Sequence, residues 1–174
     1  SLRCLYWMQA AQRVQFNHAL KFAIEKANEM NLPLITIFCL TENYPSANFR
    51  HFKFMLDGLA PIPSELAQIG AGFYALKTLS PPATLAKIAK HAAVAVADTG
   101  YTKIQKKWRA DLAQNLKIPL YQVESEVIVP LGQASDKEEF SAATLRPKIL
   151  KRSSEFLSEK FFLPQLRRRI QEYN

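Results

Sequence analysis

The chain has 174 residues, of which 48% are hydrophobic and 22% are charged, and it contains no low-complexity tract and no internal repeat. This composition excludes a largely disordered chain and a repeat solenoid, and the length favours one domain with a sizeable core. The formal net charge of +8 favours a polyanionic partner, because clustered Lys and Arg side chains release counterions from a phosphate backbone.

The first part of the chain predicts two strands separated by a helix. Residues 3–8 form a short apolar run with aromatic side chains, which is typical of a strand buried on both faces. Asn17 is a suitable N-cap for a helix whose apolar side chains recur at helical spacing and which should end near Asn31. Residues 34–40 are rich in β-branched side chains and almost uninterrupted in apolar character, so they predict a central strand.

A second helix is predicted after Asn48, which is another suitable N-cap. Pro61 and Pro63 should kink or end this helix. Four apolar side chains share one of its stripes: Phe52, Met55, Leu56 and Leu59. Three other side chains lie on the opposite face: Arg50, Phe54 and Asp57. An outward aromatic ring beside a cation is either ordinary surface or a contact for a ligand or another domain.

The alternation of strands and helices continues to residue 130. Residues 73–76 predict a third strand, a helix begins at Ser80, residues 93–97 predict a fourth strand, and residues 119–123 predict a fifth after another helix. Strands that alternate with helices of this length imply right-handed βαβ units. We therefore predict an α/β fold with a five-stranded parallel Rossmann-like sheet in the order 3-2-1-4-5, helices on both faces and a helical connector after it.

We divide the chain into an α/β unit, residues 1–130, and a linker with helical segments, residues 131–174. From Arg146 to Asn174 there are eight basic and three acidic residues, so five of the eight net positive charges lie there, either on a solvated helix face or against nucleic acid. Several large apolar side chains of this tail should pack on a partner domain, and without one they should be exposed, collapse back or be buried by another copy. These side chains are Phe156, Phe161, Phe162 and Leu166.

Cys4 and Cys39 both lie inside predicted strands, where a reduced thiol behaves as a small buried hydrophobe. The sequence shows no signal peptide and no apolar stretch long enough to cross a bilayer. We therefore expect a cytoplasmic protein with reduced cysteines and no membrane association.

Ligands of an open parallel sheet bind beyond the carboxyl ends of its strands, where the strand order reverses. Here those ends are residues 8–10, 40–42 and 98–99. Asp98 is the strongest polar candidate because it closes an apolar strand, where a carboxylate must find water, a donor or a ligand. The alternative is a structural role in an Asx turn or a helix cap.

Several common chemistries are disfavoured by the residues present. Residues 7–12 lack the Gly-x-Gly-x-x-Gly pattern, and no phosphate loop with Gly-Lys-Ser or Gly-Lys-Thr occurs. His18, His51 and His91 lack the spacing of metal ligands, and no pair of nucleophile and base stands out. The residues by themselves predict no catalytic group and no metal site, but a ligand-binding α/β domain.

Four blocks of the sequence resemble bacterial class II DNA photolyases, in the same order along the chain. They are residues 6–14 with 17–20, residues 50–59, residues 98–101 with Trp108 and Arg109, and residues 134–140 with 144–149. Many members of that family carry Arg-Asp where this chain has Ala10 and Ala11, so a polar contact at that place is not carried over.

The resemblance implies the antenna domain of a light-driven DNA repair enzyme. In that family, reduced FAD in a helical C-terminal domain is excited by blue light and gives an electron to a flipped-out cyclobutane pyrimidine dimer, whose ring then splits. The N-terminal domain can hold an antenna chromophore, a deazaflavin, folate or flavin, which passes excitation energy to the FAD. Without the FAD domain this chain is expected to be inactive, and its partners are that domain and, through the full-length enzyme, damaged DNA.

From their positions at the strand ends and in the second helix, seven residues are candidates for the antenna pocket. They are Met8, Gln9, Phe38, Leu40, Arg50, Asp98 and Thr99. Two other functions stay open. One is a cryptochrome-like photosensory module that signals through a partner, and the other is a stand-alone nucleotide-binding α/β protein, which would bind ATP or AMP.

Overall fold

A five-stranded parallel sheet forms the centre of the computed structural model, which describes residues 2–158 and 160–170. The strand order is β3-β2-β1-β4-β5, so the predicted fold and order are confirmed. The strands are β1 (Arg3–Met8), β2 (Leu34–Leu40), β3 (Gly72–Lys77), β4 (Ala92–Asp98) and β5 (Leu120–Val123).

Seven helices are found in the described residues. They are α1 (His18–Glu29), α2 (Phe49–Leu59), α3 (Ile62–Ile69), α4 (Pro81–Ile88), α5 (Lys103–Asn115), α6 (Leu131–Ala134) and α7 (Ala142–Leu157), and a short 3-10 turn (Ala89–His91) follows α4. The N-caps predicted at Asn17 and Asn48 are confirmed, because each side-chain oxygen accepts a backbone N–H of the first turn. None of these helices combines the length and the apolar character that crossing a bilayer requires.

The prolines after α2 have the predicted effect, since α2 ends at Leu59. The sequence pattern did not predict α3, which begins directly afterwards with Pro63 in its first turn. Gly70 ends α3 with φ of 85°, a left-handed conformation that favours glycine because it has no Cβ.

The central strand β1 divides the core into two layers, because successive side chains of a strand point to opposite faces. Cys4, Tyr6 and Met8 belong to the layer that α1 and α3 cover. Leu5 and Trp7 belong to the layer that α4 and α5 cover. The predicted placement of helices on both faces is therefore confirmed.

The C-terminal segment, residues 160–170, has no helix or strand and nevertheless packs against α1. Leu166 is only 6% exposed and belongs to the apolar layer that contains α1. Asn28, in the last turn of α1, holds the neighbouring backbone: its Nδ2 donates to Gln165 O at 2.9 Å and its Oδ1 accepts from Arg167 N at 2.8 Å.

The end of this segment covers the amino edge of the sheet at the start of β3. The Ile170 N–H donates to Gly70 O at 2.9 Å, and the Arg169 guanidinium donates to Gln68 O. A Cβ on Gly72 would lie 2.8 Å from Ile170 Cδ1, so the two segments of the chain approach closely there. Part of the predicted connector thus packs on the α/β unit of its own chain, while Glu159 and residues 171–174 of that connector lie outside the described residues.

Helix α7 differs from the C-terminal segment in that none of its residues is buried. Its polar contacts are with the preceding segment: Lys148 Nζ donates to Glu139 Oε1 and Ser135 Oγ, and Arg152 donates to Gln133 O. Two cations of α7, Lys148 and Arg152, are therefore engaged within the chain. Contact of this tail with nucleic acid stays a prediction.

Candidate ligand-binding cleft

A cleft of about 540 Å³ lies at the carboxyl edge of the sheet, between the ends of β1 and β2 and helix α2. Trp7, Gln9 and Ala10 contribute from β1 and the turn after it, and Phe38 and Leu40 contribute from β2. The size is within the range of sites for drug-sized ligands, and the place is the point where the strand order reverses.

Aromatic side chains form much of the wall of this cleft. Trp7, Tyr44, Phe52 and Trp108 all line it, and Phe54 lies at its mouth, 83% exposed. The rings of Tyr44 and Trp108 meet edge to face, with their centroids 6.0 Å apart. Such flat apolar walls suit a planar ring system, which stacks on aromatic faces and edges.

The apolar stripe of α2 serves the cleft as well as the core. Phe52 and Met55 line the cleft, and Leu59 is buried in the core. Leu56, which the pattern placed on the same stripe, is about half exposed. The reason is that α2 packs on its neighbours mainly through its last turn, while its middle borders the open cleft.

Gln9 lines the cleft and carries one buried donor without a partner. The residue is 8% exposed, and its Oε1 accepts from Arg109 Nη1 at 3.1 Å. Because a guanidinium can only donate, this contact fixes which end of the amide faces Arg109. The Nε2 group is then left without a hydrogen-bond partner among the described residues. An unpaired buried donor costs about 1–3 kcal/mol, which a ligand acceptor would offset.

Arg109 is itself buried and is held from the other side by Gln122, whose Oε1 accepts from Arg109 Nε at 3.1 Å. Burial lowers the pKa of Arg109, and the nearby Asp98 charge opposes that shift. Arg109 therefore fixes the orientation of Gln9, and it was not among the seven predicted site residues. Its sequence signal was its place, with Trp108, in one of the four blocks that carry the family resemblance.

Asp98 lies directly behind the turn that follows β1 and is fully buried. Its two carboxylate oxygens accept the backbone N–H groups of Gln9, Ala10 and Ala11 at 2.7–3.1 Å, and the hydroxyl of Tyr6 donates to it at 3.3 Å. Burial raises the pKa of Asp98, and the three N–H bonds oppose this rise. Asp98, at the end of β4, thus holds the turn that follows β1. This role is neither that of an Asx turn nor that of a helix cap.

Asn17 completes the support of this turn from the start of α1. Its Nδ2 donates to Tyr6 Oη at 2.9 Å, to Ala11 O at 3.1 Å and to Arg13 O at 2.8 Å. Its Oδ1 accepts from Leu20 N, so one side chain caps α1 and holds the turn. The turn is fixed on both sides, by Asp98 and by Asn17.

The structure separates the seven predicted site residues into two groups. Three of them line the cleft: Gln9, Phe38 and Leu40. Four do not: Met8, Arg50, Asp98 and Thr99. Met8 is fully buried on the opposite face from Trp7 because side chains alternate along β1. Thr99 follows Asp98, and its N–H donates to Val123 O at 3.0 Å.

Arg50 lies exposed in the first turn of α2, where its N–H donates to the capping Asn48. Of the two cysteines, Cys39 lines the cleft and Cys4 lies in the core. Cys4 and Cys39 are free, and burial raises the pKa of each thiol to about 12. Within residues 2–158 and 160–170, no three His, Cys, Asp or Glu side chains are grouped so as to hold a metal ion.

Comparison with known proteins gives a family match and relatives that carry the name of the same enzyme. A model of the DNA photolyase family matches residues 4–166. The deoxyribodipyrimidine photo-lyase of Methanothermobacter thermautotrophicus is 49% identical over 153 residues, which cover 88% of this chain and 34% of that protein. The deoxyribodipyrimidine photo-lyase of Potorous tridactylus is 35% identical over 159 residues, which cover 89% of this chain and 30% of that protein. The chain thus spans about a third of the length of these curated relatives.

Two solved structures share the fold. The archaeal photolyase from Sulfolobus tokodaii, described with two FAD molecules and a novel light-harvesting cofactor, superposes with a TM-score of 0.73 at 14% identity, over 86% of this chain and 35% of that one. The class III photolyase from Agrobacterium tumefaciens superposes with a TM-score of 0.56 at 16% identity, over 70% of this chain and 26% of that one.

Proposed function

The chain belongs to the DNA photolyase family, and we propose that it is the light-harvesting part of a longer enzyme that repairs cyclobutane pyrimidine dimers under blue light. In this proposal, residues 1–130 hold the antenna chromophore and residues 131–174 lead to the domain that holds FAD. Dimer splitting, damaged DNA and the FAD site belong to the whole enzyme, because this chain spans about a third of its relatives.

The observation that carries the proposal is the cleft at the carboxyl edge of the sheet. It is large enough for a tricyclic ring, and its walls include Trp7, Phe52 and Trp108. A chromophore that passes on excitation energy needs a fixed position and orientation. Apolar and aromatic walls supply the binding energy for a ring, and a few polar groups set its orientation.

Gln9 is the polar group to which we assign that orienting role. Its amide cannot rotate freely, because Arg109 requires the oxygen end. The Nε2 end is therefore a donor for a ring carbonyl oxygen or ring nitrogen. Deazaflavins, folates and flavins all present such acceptors, and the two FAD molecules of the Sulfolobus tokodaii photolyase support keeping a flavin among the three candidates.

The exposed apolar side chains near α7 support the assignment of residues 131–174 as the link to the FAD domain. Phe140 is almost fully exposed, and Leu150 and Leu157 are about two-thirds exposed. Apolar side chains in such number on one short segment favour a partner surface in the complete enzyme.

The test uses the full-length enzyme with a substitution that fills the cleft. Gly58 lines the cleft, and a Cβ at this position meets no atom within 4 Å, so Gly58→Phe should occupy ligand space without a clash. The control is Gly132→Phe, at a second glycine with equally open surroundings that does not line the cleft. We expect Gly58→Phe to lose the second chromophore and its contribution to the action spectrum of repair, whereas Gly132→Phe keeps both.

The absorption spectrum, the ratio of second chromophore to FAD after purification from the native host, and the action spectrum measure this outcome. Thermal melting of both variants checks that they fold. An unchanged chromophore ratio in Gly58→Phe would refute the placement of the antenna in this cleft. Chromophore binding without dimer splitting by the full-length enzyme would instead favour a photosensory, cryptochrome-like role.

A further inference from the structure

The turn between β1 and α1 aims three consecutive backbone N–H groups at one point. These are the N–H groups of Gln9, Ala10 and Ala11, and the point is occupied by the carboxylate of Asp98. The carboxylate reaches the turn from the end of β4, 87 to 89 positions away in the sequence. It is fully buried, so no water competes for these donors.

Convergent N–H groups of this kind form an anion site. In doubly wound folds, the turn after the first strand is where the backbone approaches the phosphate of a nucleotide, usually with the help of glycines. Residues 7–12 of this chain contain no glycine, yet the N–H groups converge. The site is therefore built, and the protein fills it with its own side chain.

The hydrogen-bond pattern requires the charged form of Asp98. Every polar group within reach of its oxygens is a donor: three N–H groups and the Tyr6 hydroxyl. The Tyr6 oxygen already accepts from Asn17 Nδ2 at 2.9 Å, so its own proton points to Asp98. If Asp98 were protonated, either its own proton or the hydroxyl proton of Tyr6 would lack an acceptor. A carboxylate, in contrast, accepts from all four donors.

We propose that Asp98 is a built-in anion that permanently occupies the phosphate position of the β1–α1 turn, so that the adjacent cleft selects the uncharged ring system of a ligand and excludes a phosphate group from this position. The inference rests on the proposed function only in assuming that the cleft holds a ligand. It assigns to Asp98 a role in specificity, although the side chain does not line the cleft.

The experiment measures whether inorganic phosphate can take the place of the missing carboxylate. Thermal melting of the chain is followed at rising phosphate concentration for the wild type, Asp98→Ala, Asp98→Asn and Asp136→Ala. Asp98→Ala vacates the anion position, while Asp98→Asn fills it with an uncharged group of the same shape. Asp136 is an exposed residue of the linker, so Asp136→Ala controls for the loss of one negative charge.

We expect Asp98→Ala to melt well below the wild type without phosphate and to regain melting temperature as phosphate is added. Its apparent affinity for phosphate should be about tenfold or more above that of the other three proteins. If Asp98→Ala does not fold without an anion, its refolding from urea with and without phosphate replaces melting, and recovery only with phosphate supports the proposal.

Three results would overturn the inference. Asp98→Ala could be as stable as the wild type without phosphate, phosphate could fail to stabilise or refold it, or phosphate could stabilise all four proteins equally. None of these measurements involves a chromophore. A failure here therefore leaves the antenna assignment standing, and a failure of the antenna assignment leaves this test valid.

Discussion

The amino and carboxyl edges of the sheet, where its strands begin and end, differ in how the rest of the chain covers them. At the amino edge, the C-terminal segment brings the backbone of Ile170 to Gly70 and buries Leu166 in the core. At the carboxyl edge, the chain leaves a cleft of about 540 Å³ and one buried donor, Gln9 Nε2, without a partner. Within the described residues, packing of the chain on itself covers the amino edge, whereas the carboxyl edge keeps an open cleft and an unpaired donor.

This difference separates two kinds of contribution. Side chains at the amino edge should affect the free energy of unfolding, because they fill the core. Polar side chains that line the cleft at the carboxyl edge, unlike the buried Asp98 behind them, should affect ligand affinity at little cost in stability, because they border empty space. Substitutions at the two edges can test this separation.

The largest effect is expected at the amino edge, from Leu166→Ala. Truncating this buried side chain removes apolar contacts and leaves a cavity, which should lower the free energy of unfolding by about 2–3 kcal/mol. Urea denaturation followed by tryptophan fluorescence measures the change. The matched control is Leu157→Ala in α7, where the side chain is 65% exposed and the loss should stay within about 0.5 kcal/mol. Equal losses in the two variants would mean that the C-terminal segment is not part of the core.

A smaller and different effect is expected at the carboxyl edge, from Gln9→Glu. The new carboxylate still accepts from Arg109 but has no donor for the ligand, so chromophore affinity in the full-length enzyme should fall about tenfold. The matched control is Gln122→Glu, which makes the same change on the other side of Arg109, away from the cleft.

Chromophore release during dialysis, measured by absorbance, compares these two variants, and urea denaturation checks their stability. We expect Gln9→Glu to release chromophore sooner and Gln122→Glu to match the wild type. If both variants release it equally, Gln9 acts through Arg109 and the fold, and the assignment of Nε2 as a ligand donor is wrong.

The smallest effect is expected in the segment that contains α7 and covers neither edge. Hydrogen bonds from Lys148, Ser135 and Thr144 lower the pKa of Glu139 from 4.5 to about 2. A lowered pKa means that the pair stabilises the folded form above pH 4.5 and that this contribution is lost as the pH falls from 4.5 towards 2.

The free energy of unfolding, measured by urea denaturation, should therefore differ slightly between the wild type and Glu139→Gln. This difference should be constant above pH 5 and shrink below pH 4.5. Lys148→Met, which removes the partner charge, should show the same pH dependence. A difference that grows as the pH falls would have the wrong sign for a lowered pKa and would rule out the pairing of Glu139 with Lys148.

The strands and most helix boundaries could be predicted from the sequence because they depend on local patterns: the apolar run of residues 34–40, the capping side chains of Asn17 and Asn48, and the alternation of strands with helices. The strand order is not a local property, and its prediction followed from the usual order of doubly wound folds. Helix α3 was missed because two prolines suggested an ending, and only the packing of Ile62 and Leu66 on the sheet shows that a second helix follows.

The roles of the polar residues Asp98, Gln9 and Arg109 became visible only in the three-dimensional structure. Asp98 was recognised as unusual, but its partners lie almost ninety positions away, and only the fold shows that they are N–H groups of a turn rather than a ligand. Gln9 and Arg109 are 100 positions apart, so no local pattern could indicate that one orients the other. Local preferences fix secondary structure because neighbouring residues along the chain set them, whereas hydrogen-bond partners in a buried site are chosen by the packing of distant strands and helices.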